Sequence, residues 1–194
     1  MRTKAWIALV LLLSLSACAE ANEPRNAGPD DPPLVNEEPD AVTPTLEDST
    51  CENTTGGNPE NLPRFVEVEL ETGERDRITF RFEPDASAPD DAPLHFINFT
   101  DELITDGEGR KVKAEGEAFV VVSFQAVGVD LSGEKPVEVY TGSKRFTPEF
   151  GVLREAVHLG DFESQVSWGL GLARDSCFAL ETGKDHITLE FPNV

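Results

Sequence analysis

Residues 51–194 predict an all-β fold, a β-sandwich or partly closed barrel with at most one short helix. Two observations carry that prediction. Apolar residues alternate with polar ones at a period of two rather than 3.6. The alternating runs are short and separated by Gly- and Pro-containing turn signals. Many short strands joined this way form a sheet closed on itself or packed against a second sheet.

The first run is Val66-Glu67-Val68-Glu69-Leu70, with its apolar residues expected on one face and its carboxylates on the other. In the next, Ile78, Phe80 and Phe82 alternate with Arg77, Thr79 and Arg81. Leu94-His95-Phe96-Ile97 reads as a strand with His95 pointing outward. Ala118 to Val127 is almost wholly apolar, with Val120, Val122 and Phe124 on one side, which marks a central strand covered on both faces. Residues 149–158 carry the single helical hint. Val166, Trp168, Leu170 and Leu172 then alternate with Ser167, Gly169 and Gly171. Ile187, Leu189 and Phe191 alternate with Thr188 and Glu190. Thr72-Gly73, Asp106-Gly107-Glu108-Gly109, Ser132-Gly133 and Thr182-Gly183 supply turns. Trp168 is expected in the core, its indole filling space left by Gly169 and Gly171. The functional alternative is a partly exposed platform for a sugar ring.

Ahead of this domain the chain is organised differently. Arg2 and Lys4 precede the apolar run Ala5 to Leu15, which is too short to span a bilayer but suits a signal-peptide core. Leu15-Ser16-Ala17-Cys18 resembles the bacterial lipobox, so residues 1–17 read as a lipoprotein signal peptide. Cys18 then reads as the lipidated (diacylglycerol- and palmitate-bearing) first residue of the mature chain. Two acyl chains would hold such a protein stably, where one binds only marginally. The alternative is a plain secreted protein with an incidental Cys near its cleavage site. Residues 19–50 hold nine acidic residues, one Arg, six Pro and no aromatic side chain, a composition that cannot bury enough surface to order itself. Residues 18–50 are therefore expected to be a disordered acidic tether, with residues 51–194 as the folded domain.

With Cys18 committed to the lipid, Cys51 and Cys177 remain as a pair in an oxidising compartment and are expected to form a disulfide. It would fasten Cys51-Glu52-Asn53 to a strand near the end of the chain. The spacing is neither a redox CxxC nor a zinc set.

Charge narrows the partners. The chain has 37 acidic and 16 basic residues, and residues 51–194 alone have 28 and 13, a formal charge of −15. Nucleic acid is not expected as a partner, because phosphate recognition needs a concentrated basic footprint. Anionic wall polymers are repelled within a Debye length of ~8 Å. Binding to wall glycan must then rest on local hydrogen bonds, stacking or bridging cations, and a basic envelope protein suits the field better.

Three blocks resemble the AMIN-like domain of bacterial lipoproteins and secreted proteins. They are Arg75-Asp76-Arg77-Ile78-Thr79-Phe80-Arg81-Phe82, then Asp106-Gly107-Glu108-Gly109-Arg110 leading to Glu115-Gly116-Glu117-Ala118-Phe119-Val120-Val121-Val122, and finally Gly160-Asp161-Phe162-Glu163-Ser164-Gln165-Val166-Ser167-Trp168-Gly169-Leu170-Gly171-Leu172. The end departs from the family pattern: Lys184-Asp185-His186 stand before Ile187-Thr188-Leu189-Glu190-Phe191, where the family has an Arg. The resemblance implies a β-sandwich module that localises envelope proteins, related domains doing so by binding peptidoglycan.

No catalytic constellation is readable. His95, His158 and His186 are isolated, with no HxH, HExxH or HxxxH spacing, and no GxSxG elbow is present. Asp101, Glu102, Asp106 and Glu108 surround a Gly-rich turn that could hold Ca²⁺ but lacks EF-hand spacing, and a solvated hairpin turn is the favoured reading. The expectation is a non-catalytic, lipid-anchored module on the extracytoplasmic side of the cell membrane. It would contact peptidoglycan or an envelope protein, without cofactor or metal. The alternatives are an envelope hydrolase whose carboxylates meet only in three dimensions, and a structural spacer lipoprotein.

Overall fold

The computed structural model describes residues 49–193 except 85 and 88; the leader at 1–17, Cys18 and the tether up to residue 48 lie outside the described residues. In chain order the strands are β1 (Thr54–Gly56), β2 (Arg64–Glu71), β3 (Arg75–Glu83), β4 (His95–Thr100), β5 (Leu103–Ile104), β6 (Lys111–Val112) and β7 (Ala118–Gln125). Then come β8 (Val129–Asp130), β9 (Val137–Glu138), β10 (Arg145–Phe146), β11 (Leu153–Phe162), β12 (Gln165–Leu172), β13 (Ala179–Gly183) and β14 (His186–Pro192). A six-stranded sheet runs β1-β4-β7-β12-β11-β10 and a four-stranded sheet runs β13-β14-β3-β2, with β5-β6 and β8-β9 as small ribbons. The pairings are antiparallel. The sheets stay separate as a sandwich and do not close into a barrel.

Period-two patterning decides which side chains face the space between the sheets. Phe65, Ile78, Phe80, Phe82, Ile187, Leu189 and Phe191 from one sheet and Ile97, Val120, Val122, Phe124, Val166, Trp168, Leu170 and Leu172 from the other form a single buried cluster. Each fully buried side chain of this size contributes about 1.5–3 kcal/mol of transfer free energy. A second, smaller cluster lies on the outer side of the six-stranded sheet. There Leu103 of the β5-β6 ribbon packs on Val157 and Leu159, with Val112, Ala114, Phe119 and Val121 around them. The β7 strand is therefore covered on both faces.

Four expectations need correction. Residues 149–158 form no helix: they lead into β11, whose residues from Leu153 on pair with β12. The Arg-Glu-Ala stretch favours helix locally, but cross-strand packing overrides that preference. Val66 does not share a face with Val68 and Leu70. A bulge between Phe65 and Glu67 turns it outward and puts Phe65 in the core instead. His95 points inward: it lies opposite the core residue Phe124 and is 2% exposed. Trp168 is in the core, but its indole does not fill the space beside the glycines. A Cβ on Gly169 would lie 2.6 Å from Leu103, and one on Gly171 would collide with the Glu115 carbonyl, both on the opposite face.

Two devices tie the layers together. Cys51 and Cys177 are joined by a disulfide with their Cα atoms 4.4 Å apart, and Thr50 and Phe178 exchange backbone hydrogen bonds beside it. Cys177 precedes β13 rather than lying within a strand. Asp76 of β3, fully buried, accepts hydrogen bonds from the Val152 and Leu153 amides at the start of β11, at 2.5 and 2.9 Å. Thr72 Oγ1 and Asn193 Nδ2 donate to its other oxygen, both at 2.8 Å. Burial alone would push this carboxyl up, yet those donors hold its pKa below the usual range.

Candidate functional site

The inward parity of Asp76, Ile78, Phe80 and Phe82 sends Arg75, Arg77, Thr79 and Arg81 to the outer face of the four-stranded sheet. After the β2 bulge, Glu67, Glu69 and Glu71 face the same way. Register then sets up transverse rows: Glu71 beside Arg77 beside Glu190, Glu69 beside Thr79 beside Thr188, and Glu67 beside Arg81 beside His186. Cross-strand opposites of this kind are the stabilising unit of a sheet face.

Glu190 is the centre of the face. It is 1% exposed, roofed by Arg75, whose Nη1 donates to Oε2 at 2.8 Å, and by Arg77, which donates from Nε to Oε1 at 2.8 Å and again from Nη2. Arg77 also reaches Glu71 at 3.0 Å. Burial would lower the pKa of Arg77, but hydrogen bonds and the charges of Glu190 and Glu71 raise it, so this guanidinium stays charged. Arg81 pairs with Glu69 at 2.8 Å, and the Thr79 and Thr188 hydroxyls are 2.9 Å apart. His186 Nδ1 lies 2.8 Å from Asp185, whose carboxyl that contact lowers.

Above these rows is an open depression of about 570 Å³ lined by Glu71, Thr72, Gly73, Glu74, Arg75, Arg77 and Glu190. A smaller one of about 170 Å³ continues over Arg81, Glu181, His186 and Thr188. The face offers guanidinium donors and carboxylate acceptors at fixed spacing, with no nucleophile held by a base. Such a surface can bind a hydroxyl- and amide-rich ligand.

The other sequence candidates are scattered. His95 is buried with Nδ1 2.9 Å from the Pro93 carbonyl; burial lowers its pKa against that contact. His158 lies inside the sandwich against Trp168, at 5.3 Å between ring centres. His186 belongs to the outer face just described. Among the described residues no group of three or more His, Cys, Asp or Glu side chains is placed to hold a metal ion. In the acidic turn, Glu108 pairs with Arg110 and Glu102 with Lys111.

The closest approach to a hydrolytic arrangement is a cavity of about 40 Å³ lined in part by Glu138, Tyr140, Lys144, His158 and Asp161. Burial raises the Asp161 carboxyl, with Asp106 and Glu138 adding to it and Lys144 opposing. Burial also lowers His158, as does Lys144. Tyr140 is pushed up to about 12 by burial and then by Glu67. The space admits a few water molecules and no sugar ring.

Glu190 at the centre of this face and Asp76 on the inner side of the same sheet are the buried carboxylates that pattern reading passes over. Their signal was visible, a carboxylate at a core-parity position and another within an apolar strand. Apart from Thr72, the partners of Asp76 lie 76 to 117 residues away in sequence and those of Glu190 113 and 115, out of reach of any local rule.

Residues 71–189 match the family model of the AMIN-like domain. No curated protein and no solved structure gives a significant match.

Proposed function

Because the chain belongs to the AMIN-like domain family, we propose that it is a non-catalytic, lipid-anchored module of the bacterial envelope that binds peptidoglycan through the outer face of the four-stranded sheet. In this reading residues 1–17 are removed, Cys18 carries the lipid, residues 18–50 form the tether, and residues 51–194 reach the wall from the extracytoplasmic side of the membrane.

The observation that carries the reading is the depression over Glu190. It holds Arg75 and Arg77, and with Arg81 in the adjoining depression three of the domain's thirteen basic residues share one solvent face of a domain with formal charge −15. Around them, fixed carboxylates and threonine hydroxyls provide acceptors. Net repulsion of the wall is long-ranged and screened by salt, whereas these hydrogen bonds act at contact.

The test is co-sedimentation of the leaderless Cys18→Ser chain with purified peptidoglycan, with and without millimolar Ca²⁺. Pelleting in both buffers is expected, falling at least fivefold in the Arg75→Ala/Arg77→Ala variant. Calcium-dependent pelleting moves the site to the acidic turns. Absence of pelleting in both buffers discards the glycan, and a basic envelope protein, which the charge favours, takes its place. The anchor is checked separately: palmitate labelling of the native chain is expected and should vanish on Cys18→Ser.

A further inference from the structure

The hairpin between β11 and β12 turns on Glu163 and Ser164, both with left-handed backbone, φ 51° and 62°. A two-residue hairpin of this geometry ordinarily uses Asn-Gly or Asp-Gly. Here neither turn residue is glycine, so the tip presents a second side chain where the usual turn has glycine. Next to it, Phe162 is 55% exposed and is the only exposed aromatic residue among those described.

Register places Phe162 opposite Gln165 and Gln165 opposite Gln125, so all three project from the outer face of the six-stranded sheet. The β5-β6 ribbon covers the middle of that face and stops short of this end. Its turn brings Asp106 alongside: the Asp106 amide donates to the Leu159 carbonyl at 3.1 Å. A Cβ on Gly160 (φ 157°) would lie 2.8 Å from Asp106 Cβ, so glycine there lets the turn sit down on the strand. Asp106 Oδ2 is buried and has no hydrogen-bond donor among the described residues. Asp106, Gly107, Gln125, Phe162, Glu163 and Gln165 together line a hollow of about 320 Å³. That lies at the lower end of the range for small-ligand sites, about 300–1,000 Å³.

The lining contains no Lys or Arg, which argues against a phosphate or carboxylate as the preferred ligand. It combines an aromatic face with two side-chain amides, each both donor and acceptor. A pyranose fits that chemistry. Its C–H face carries partial positive charge and meets the negative face of the ring, while hydroxyl and acetamido groups reach the two amides. We infer that the β11–β12 tip is a ring-stacking subsite for a neutral N-acetylhexosamine glycan, separate from the charged face of the other sheet. This inference rests on the wall-binding reading above.

The probe is the β-1,4-linked tetramer of N-acetylglucosamine, added to the leaderless Cys18→Ser chain and followed by amide chemical shifts. Shifts are expected at 106–107, 125 and 162–165. Phe162→Ala should weaken binding at least tenfold and Phe162→Tyr should restore it, with thermal midpoints unchanged because the side chain is exposed. Tetramer binding that Phe162→Ala leaves intact, or shifts confined to other residues, overturns the subsite. Sacculi that pellet the wild type and Phe162→Ala equally overturn it too while sparing the wall-binding reading. A wild type that neither pellets nor shifts sinks both. Tetramer binding retained by Arg75→Ala/Arg77→Ala supports two separate contacts.

Discussion

On the four-stranded sheet, water is met by rows of paired charges, with Arg75 and Arg77 closed over Glu190 and Arg81 held by Glu69. On the six-stranded sheet it is met by a third layer, because the outward residues Val121, Val157 and Leu159 are apolar and Leu103 of the β5-β6 ribbon seals them. Gly169 and Gly171 make that layer possible by letting Leu103 and the backbone at Glu115 lie against the strand. The difference shows how outward residues decide whether a sheet stays open. Charged rows leave a whole face accessible to ligand, while apolar rows recruit a cover and leave only the uncovered end, where Phe162, Gln125 and Gln165 stand.

The largest expected effect is on the covered side. Leu103→Ala should lose about 2–5 kcal/mol in urea unfolding, since it removes a fully buried side chain and leaves a cavity over Gly169. A loss under about 1 kcal/mol would mean the ribbon is a loose flap and the contrast between the faces is overdrawn.

Asp76→Ala comes next, at about 3 kcal/mol, because it strands the Val152 and Leu153 amides between the sheets. Its pH signature is specific. The native Asp76 pKa lies below the ordinary 3.8. Its contribution is therefore fully present above that value and is lost as pH falls through the native pKa. Acid unfolding of the variant should be correspondingly shallower in that window, and an unchanged profile would remove Asp76 as the pin.

Glu190→Gln is smaller, about 1–2 kcal/mol, since both guanidiniums can turn to solvent once the buried charge is gone. A full 3–5 kcal/mol loss would show that the charged face is structural rather than available to ligand. Arg81→Ala should change stability by less than about 0.5 kcal/mol, as expected of a pair with both side chains 41% exposed.

Much of this architecture was legible before any coordinates. The alternation at Ile78-Phe80-Phe82 and at Ile187-Leu189-Phe191 assigns their faces without further help, because a strand's period of two leaves one solution when one side is buried. The bulge at Val66 was not legible, since one extra residue inverts parity and only the pairing with β3 reveals it. The helical hint at 149–158 failed for a related reason: local propensity was real, but β12 offered more.

For the site, composition placed the domain's charge and the residue order placed Asp76-Arg77 at the start of a strand. Neither could bring Glu190 beneath Arg75 and Arg77, nor Asp106 beside Phe162. Local pattern determines which way a side chain faces, because that depends on its immediate neighbours in the chain. Which side chains meet depends on strand order and on where a ribbon comes to rest, and those are settled only when distant segments pack together.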